Sequence, residues 1–120
     1  MIHLKDRRVL VVGLGRSGVA ASRLLVRNNA RVTATDRSPW DALSAEAREL
    51  AALGIKIEAG GLSTGTFLSA DLIILSPGVP KDIDPLIRAK ENGVKIISEI
   101  ELAYQLLDAP LIAVTGSNGK

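Results

Sequence analysis

The chain has 120 residues and a formal net charge of +2, room for one domain with its own core and no more. It holds no cysteine, which excludes a disulfide framework and thiolate metal sites and suits a reducing cytoplasm. Aromatic residues make up 2% of the chain, so its core has to be built from Val, Ile, Leu and Ala, and base stacking with nucleic acid has almost nothing to use.

No apolar segment reaches the length of a membrane span, and the first six residues do not form a secretory signal. A cytoplasmic protein with no membrane partner is expected. The charge is uneven: residues 1–37 carry eight basic side chains against two acidic ones. Because these Arg and Lys residues fall on different elements, they suit a small anionic ligand near the first loop better than nucleic acid.

Residues 9–12 are an unbroken apolar run, the pattern of a strand in the middle of a parallel sheet. Gly13-Leu14-Gly15-Arg16-Ser17-Gly18 follows, then a helix to about Asn28, with Ala20, Ala21, Leu24 and Leu25 on its inner face and Arg23 and Arg27 outside. Residues 31–35 read as a second strand ending at Asp36. Ser38, Pro39 and Asp41 read as the start of a helix, with Ser38 as its cap, Leu43, Ala47, Leu50 and Leu53 buried, and Gly54 just past its end. Residues 55–58 alternate, as in a strand nearer an edge, and a turn leads to a central strand at 71–75.

Ser76-Pro77-Gly78-Val79-Pro80 halts that strand. Asp84-Pro85 opens a helix that Gly93 closes, residues 94–97 form a fifth strand, and Ser98 with Glu101 makes a capping box for a helix to about Leu107. Asp108-Ala109-Pro110 reads as a hinge before a strand at 111–114. Strands alternating with helices imply an α/β fold, a doubly wound parallel sheet with helices on both faces and right-handed crossovers.

In such sheets ligands bind at the carboxyl ends of the strands, where the first glycine loop lies. Gly13 permits a tight turn, Gly15 lets a phosphate approach the backbone, and Gly18 lets the helix pack close to its strand. Arg16 and Ser17 are placed to add a charge-assisted contact and a hydroxyl. The alternative is a βα turn whose glycines serve packing alone; the preceding strand, the following helix and the acid about 20 residues on favour a bound diphosphate. Asp36 fits either ribose hydroxyls or the N–H of a pyrimidine base, and Arg37 either stacks on a base or lies on the surface. Ser76, Pro77 and Gly78 would line the same crevice, unless they only end a strand. His3 reads as structural or solvated, Trp40 as packing at a helix start, and Glu99 and Glu101 as capping residues. No catalytic triad and no metal-ligand cluster is present.

Val114-Thr115-Gly116-Ser117-Asn118-Gly119-Lys120 has a strand, two glycines and a terminal Lys, as a P-loop does, although Val114 stands where that loop usually has Gly. The Ser or Thr that would hold Mg²⁺ is not reached, so the chain reads as the front of a longer nucleotide-using protein. The two units expected are 1–108 and 109–120.

Together these segments resemble the Mur ligases, whose ATPase domain opens with T-G-[ST]-N-G-K. The likeness runs through the first glycine loop, Asp36, residues 75–79, Ser98-Glu99-Ile100-Glu101-Leu102 and the final loop. Within the family it is nearer the D-glutamate-adding branch, since the histidine-containing opening usual in the alanine-adding branch is absent. The resemblance implies a Rossmann-like sheet of about five strands that binds the UDP part of UDP-N-acetylmuramoyl-L-alanine. Arg16 and Ser17 would lie on the diphosphate, Asp36 and Arg37 would meet the uracil and Gly78 would lie close to the sugar, with Gly15, Gly18, Ser38, Ser76 and Pro77 also among the residues that bind the UDP precursor. Where the family often has an arginine two residues after the acid, this chain has Ser38, and the arginine is Arg37.

Gly116, Ser117, Asn118, Gly119 and Lys120 would contact ATP. The whole protein is then an ATP- and Mg²⁺-dependent amide-forming ligase of cell-wall precursor synthesis with D-glutamate as co-substrate, expected as a monomer. The catalytic residues and metal ligands would lie beyond this chain, which alone would be inactive. The glycine loop with Asp36 also fits a NAD(H)- or nucleotide-sensing Rossmann regulatory module, in which residues 76–80 and the final loop have no place.

Overall fold

The structure, a computed structural model, describes residues 3–106. The expected hinge, the strand at 111–114, the boundary at 108 and the ATP loop lie outside the described residues. Five strands, β1 (Arg8–Val12), β2 (Arg31–Asp36), β3 (Lys56–Ala59), β4 (Leu72–Leu75) and β5 (Lys95–Ser98), form one sheet. All pairings are parallel and the order is β3-β2-β1-β4-β5. The order reverses between β1 and β4, which therefore flank the switch point. The helices are α1 (Arg16–Arg27), α2 (Ala45–Glu49), α3 (Thr64–Ser69), α4 (Asp84–Glu91) and α5 (Glu99–Leu106).

Strand alternation divides the core into two layers. Val9, Val11, Val32, Ala34, Leu72 and Ile74 face one side and pack with residues of α1, α2 and α5. Leu10, Val12, Ile73 and Leu75 face the other and pack with Phe67 of α3 and with Leu86 and Ala89 of α4. All four residues of β4 are buried, as the apolar run required.

Several local expectations are corrected. The stripe that α1 buries is Gly18, Val19, Ala21, Ser22 and Leu25, while Ala20 is exposed and Leu24 half-buried. Gly18 belongs to this stripe because it lies against the Gly13 backbone. Ser38 caps no helix. Trp40–Ala42 is a single 3₁₀ turn with Pro39 before it, and α2 begins at Ala45 with Ser44 as its cap, whose hydroxyl accepts the Ala47 N–H at 3.1 Å. The Ser38 N–H donates instead to the Asp36 carboxylate at 2.8 Å, closing a local turn that competes with helix formation. Leu53 is 48% exposed, because the chain tightens from α2 into a 3₁₀ turn at Leu50–Leu53 and carries it off the buried face.

The turn expected between β3 and β4 contains α3, a six-residue helix of poor intrinsic propensity held by Phe67, which is fully buried. The second face is thus covered unevenly. A groove of about 700 Å³ opens where α3 stops short, over the polar side chains of Arg31, Thr33, Lys56 and Glu58. It runs toward the amino ends of the strands, away from the crevice.

Candidate functional site

The site is built from two loops at the switch point. Gly13 has φ +99°, a left-handed conformation suited to glycine, and its N–H continues the sheet by donating to the Thr35 carbonyl at 2.8 Å. A Cβ on Gly18 would stand 1.8 Å from the Gly13 carbonyl oxygen, so α1 starts in contact with the backbone of its own strand turn. A Cβ on Gly15 would meet nothing within 4 Å, and one on Gly78 likewise. Two glycines are therefore packing requirements, and two border open space.

Gly15 is the N-cap of α1, without a side-chain capping bond, and the first turn carries no acidic residue. The N–H groups that open the helix have no capping side chain, and Arg16 and Ser17 of that turn are exposed. A diphosphate has donors, partial positive charge and room at this place.

Asp36, half-buried at the end of β2, is already engaged. One carboxylate oxygen accepts the Leu14 N–H at 2.7 Å and the other the Ser38 N–H at 2.8 Å. It stitches the glycine loop to the second strand, and a carboxylate's further lone pairs remain for a ligand. Arg37 is exposed, with no ion pair among the described residues. Trp40, 44% exposed, packs less than its position at a helix start suggested.

Across the switch point, Ser76 is buried at the end of β4 and Pro77 and Gly78 are exposed. The Ser76 hydroxyl lies 2.7 Å from Oε2 of Glu99 and 3.2 Å from the Gly13 carbonyl. A Cβ on Gly13 would meet Ser76 at 3.0 Å and Val79 at 3.1 Å, so this wall is fitted against the glycine loop. The expectation that Glu99 is a capping residue is corrected. Ser98 does cap α5, accepting the Glu101 N–H at 3.0 Å, whereas Glu99 turns to Ser76. The return half of a capping box is not formed either, since Glu101 accepts from Gln105 at 3.2 Å. Glu99 was findable only from its place, one residue past a strand whose carboxyl end borders the crevice. The structure thus brings Gly15, Arg16, Ser17, Gly18, Asp36, Ser38, Ser76, Pro77 and Gly78 to one end of the sheet. Among the described residues, no group of three His, Cys, Asp or Glu is placed to hold a metal ion.

Residues 7–98 match the family model of the Mur ligase MurD-like N-terminal domain. The chain belongs to this family. It is 50% identical over 119 residues to the UDP-N-acetylmuramoylalanine–D-glutamate ligase of Geotalea uraniireducens, covering 99% of this chain and 26% of that protein. It is 44% identical over 117 residues to the ligase of the same name from Bdellovibrio bacteriovorus, covering 98% and 25%. The chain therefore spans about a quarter of the length of these Mur ligases.

In fold it is similar to the UDP-N-acetylmuramate–alanine ligase of Thermotoga maritima, with a TM-score of 0.71 at 23% identity over 86% of this chain and 23% of that one. The precorrin-2 dehydrogenase SirC gives a TM-score of 0.61 at 21% identity, over 100% and 51%. The architecture is thus shared with a dehydrogenase. The family match, and not the fold, separates this Mur ligase domain from the regulatory Rossmann module expected as the alternative.

Proposed function

We propose that this domain holds the uridine diphosphate portion of UDP-N-acetylmuramoyl-L-alanine for an ATP-dependent ligase that joins D-glutamate to it in the cytoplasm. The observation that carries the reading is the uncapped start of α1, whose own first turn holds no acid, open above Gly15 and walled by residues 76–78. The names of the relatives supply the rest. In this reading the N–H groups of Arg16, Ser17 and Gly18 and the Arg16 guanidinium take the diphosphate. The remaining lone pairs of Asp36 accept from uracil, with Arg37 and Ser38 beside the ring, and Gly78 leaves space for the sugar.

The unit boundary at 108, the ATP contacts of residues 116–120 and a monomeric state belong to the same proposal. In the whole protein ATP would phosphorylate the alanine carboxylate, and the D-glutamate amine would displace phosphate. Mg²⁺ is assigned to none of the described residues, and the part played here is binding and orientation.

Calorimetry or NMR shift mapping of the chain with UDP, UDP-N-acetylmuramoyl-L-alanine and NADH, side by side, tests this. Binding of the uridine ligands with shifts at Gly15–Gly18 is expected, and Arg16→Ala should weaken it by about 1.5–3 kcal/mol, the worth of a charge-assisted hydrogen bond. Shifts with NADH and none with the uridine ligands would overturn the assignment.

A further inference from the structure

The helices α1 and α5 pack on the same face of the sheet, and both begin at its carboxyl edge. Their first turns differ. That of α1 has no acid, while that of α5 carries Glu99 and Glu101, of which Glu99 is half-buried and turned toward Ser76. Ser76 stands between them. Its hydroxyl oxygen is 2.7 Å from Oε2 of Glu99 and would be 3.3 Å from a Cβ on Gly18. The carboxylate therefore lies within two hydrogen-bond lengths of the first turn of α1. A hydroxyl has one hydrogen to give, and the shorter contact assigns it to Glu99, which fixes Oε2. The other oxygen, Oε1, accepts no hydrogen bond among the described residues.

A neutral acceptor would hold Ser76 equally well. A negative charge beside an anion cradle is instead selective: it repels additional phosphate charge and welcomes a donor. We propose that Glu99 is a specificity residue of the crevice, favouring a diphosphate esterified to a sugar, whose hydroxyl or amide hydrogens Oε1 can accept, over one that ends in a free phosphate. The inference rests on the reading of the crevice as a diphosphate site. At such a separation, removal of one unit charge alters the affinity of a neighbouring phosphate on the order of tenfold at low salt.

The experiment compares UDP with UDP-N-acetylglucosamine by titration calorimetry on the chain as it stands, at low and at moderate salt, for the unaltered sequence, Glu99→Gln and Glu99→Asp. The unaltered chain should prefer the sugar nucleotide, with a preference that narrows as salt rises. Glu99→Gln should tighten UDP about tenfold more than it tightens UDP-N-acetylglucosamine, abolishing the preference, and Glu99→Asp should retain it. Both ligands binding with a preference that Glu99→Gln leaves intact would overturn the inference and spare the diphosphate reading. A preference in the unaltered chain that is indifferent to salt would do the same, whatever the folding of the variants. Failure of both ligands to bind would overturn the two together.

Discussion

Replacing Gly18 with alanine separates the packing role of the glycine loop from its binding role. Inside a helix, Gly→Ala is favourable by about 1 kcal/mol on propensity alone. Here the added methyl would sit 1.8 Å from the Gly13 carbonyl oxygen, 2.9 Å from its carbon and 3.3 Å from the Ser76 hydroxyl. The first two obstacles are backbone of a turn that is itself bonded to Thr35, so relief requires α1 to move off β1 by more than an ångström. Overpacking of this kind costs typically ~1–3 kcal/mol and here stands at or above the upper end, leaving a net loss of about 2 kcal/mol. In a domain of this size that lowers Tm by roughly 8–16 °C.

Gly15→Ala is the control. Its methyl meets nothing within 4 Å, and the residue does not have positive φ, so the cost is at most the N-cap preference for Gly over Ala, about 1 kcal/mol. Thermal and urea unfolding of both variants, followed by circular dichroism, checks the pair. A Gly18→Ala protein as stable as the parent, or less affected than Gly15→Ala, would refute the claim that α1 is seated on the Gly13 backbone.

Ser44→Ala should cost about 1 kcal/mol of stability in urea titration by removing the cap of α2, whereas Ser38→Ala should cost almost nothing, since the hydrogen bonds of Ser38 among the described residues are made by its backbone N–H and carbonyl and not by its hydroxyl. Asp36→Ala strips the acceptors from two backbone amides and should destabilise by about 1–3 kcal/mol, with hydrogen exchange at Leu14 and Ser38 accelerated beyond that of the strands. Asp71 accepts the Arg8 backbone N–H at 2.9 Å and its guanidinium at 3.4 Å, which hold its carboxyl below the usual aspartate value. The unfolded chain binds that proton more tightly, so the stabilisation is present above the ordinary aspartate pKa and is lost as pH falls through the lowered folded value. Asp71→Asn should flatten this acid limb of a stability–pH curve and leave stability near neutrality only slightly reduced, because the pair is largely solvent-exposed.

What could be read from the sequence was whatever a local pattern dictates. Residues 9–12 and 72–75 are apolar without alternation because both faces of their strands are covered, and they proved to be the two strands at the switch point. Gly13, Gly54 and Gly93 all take positive φ where a turn or helix end was expected. The misplaced elements were those decided by tertiary contacts. The Ser38-Pro39 pair carries the composition of a helix start, but Asp36 claims its amide and the helix waits for Ser44. The segment 64–69 has little helical tendency and becomes a helix because Phe67 is buried there. In the site, the glycines announced themselves by spacing. The contact between Ser76 and Glu99 joins residues 23 apart, and no periodicity reports it.

The order of the sheet also sets a schedule for assembly. β1 finds its first neighbour 23 residues later, at the pairing of Val9 with Val32, but its other neighbour only after 63, at Leu72. The segment from β1 to β3 can thus associate while the chain is still growing, presenting a helix start with one side bare. The cradle gains its far wall only when β4 docks and Ser76 reaches Gly13. A nascent chain therefore has no closed pocket to offer a nucleotide until Ser76 and β4 have emerged, so the ligand can stabilise only the fully paired form of the sheet.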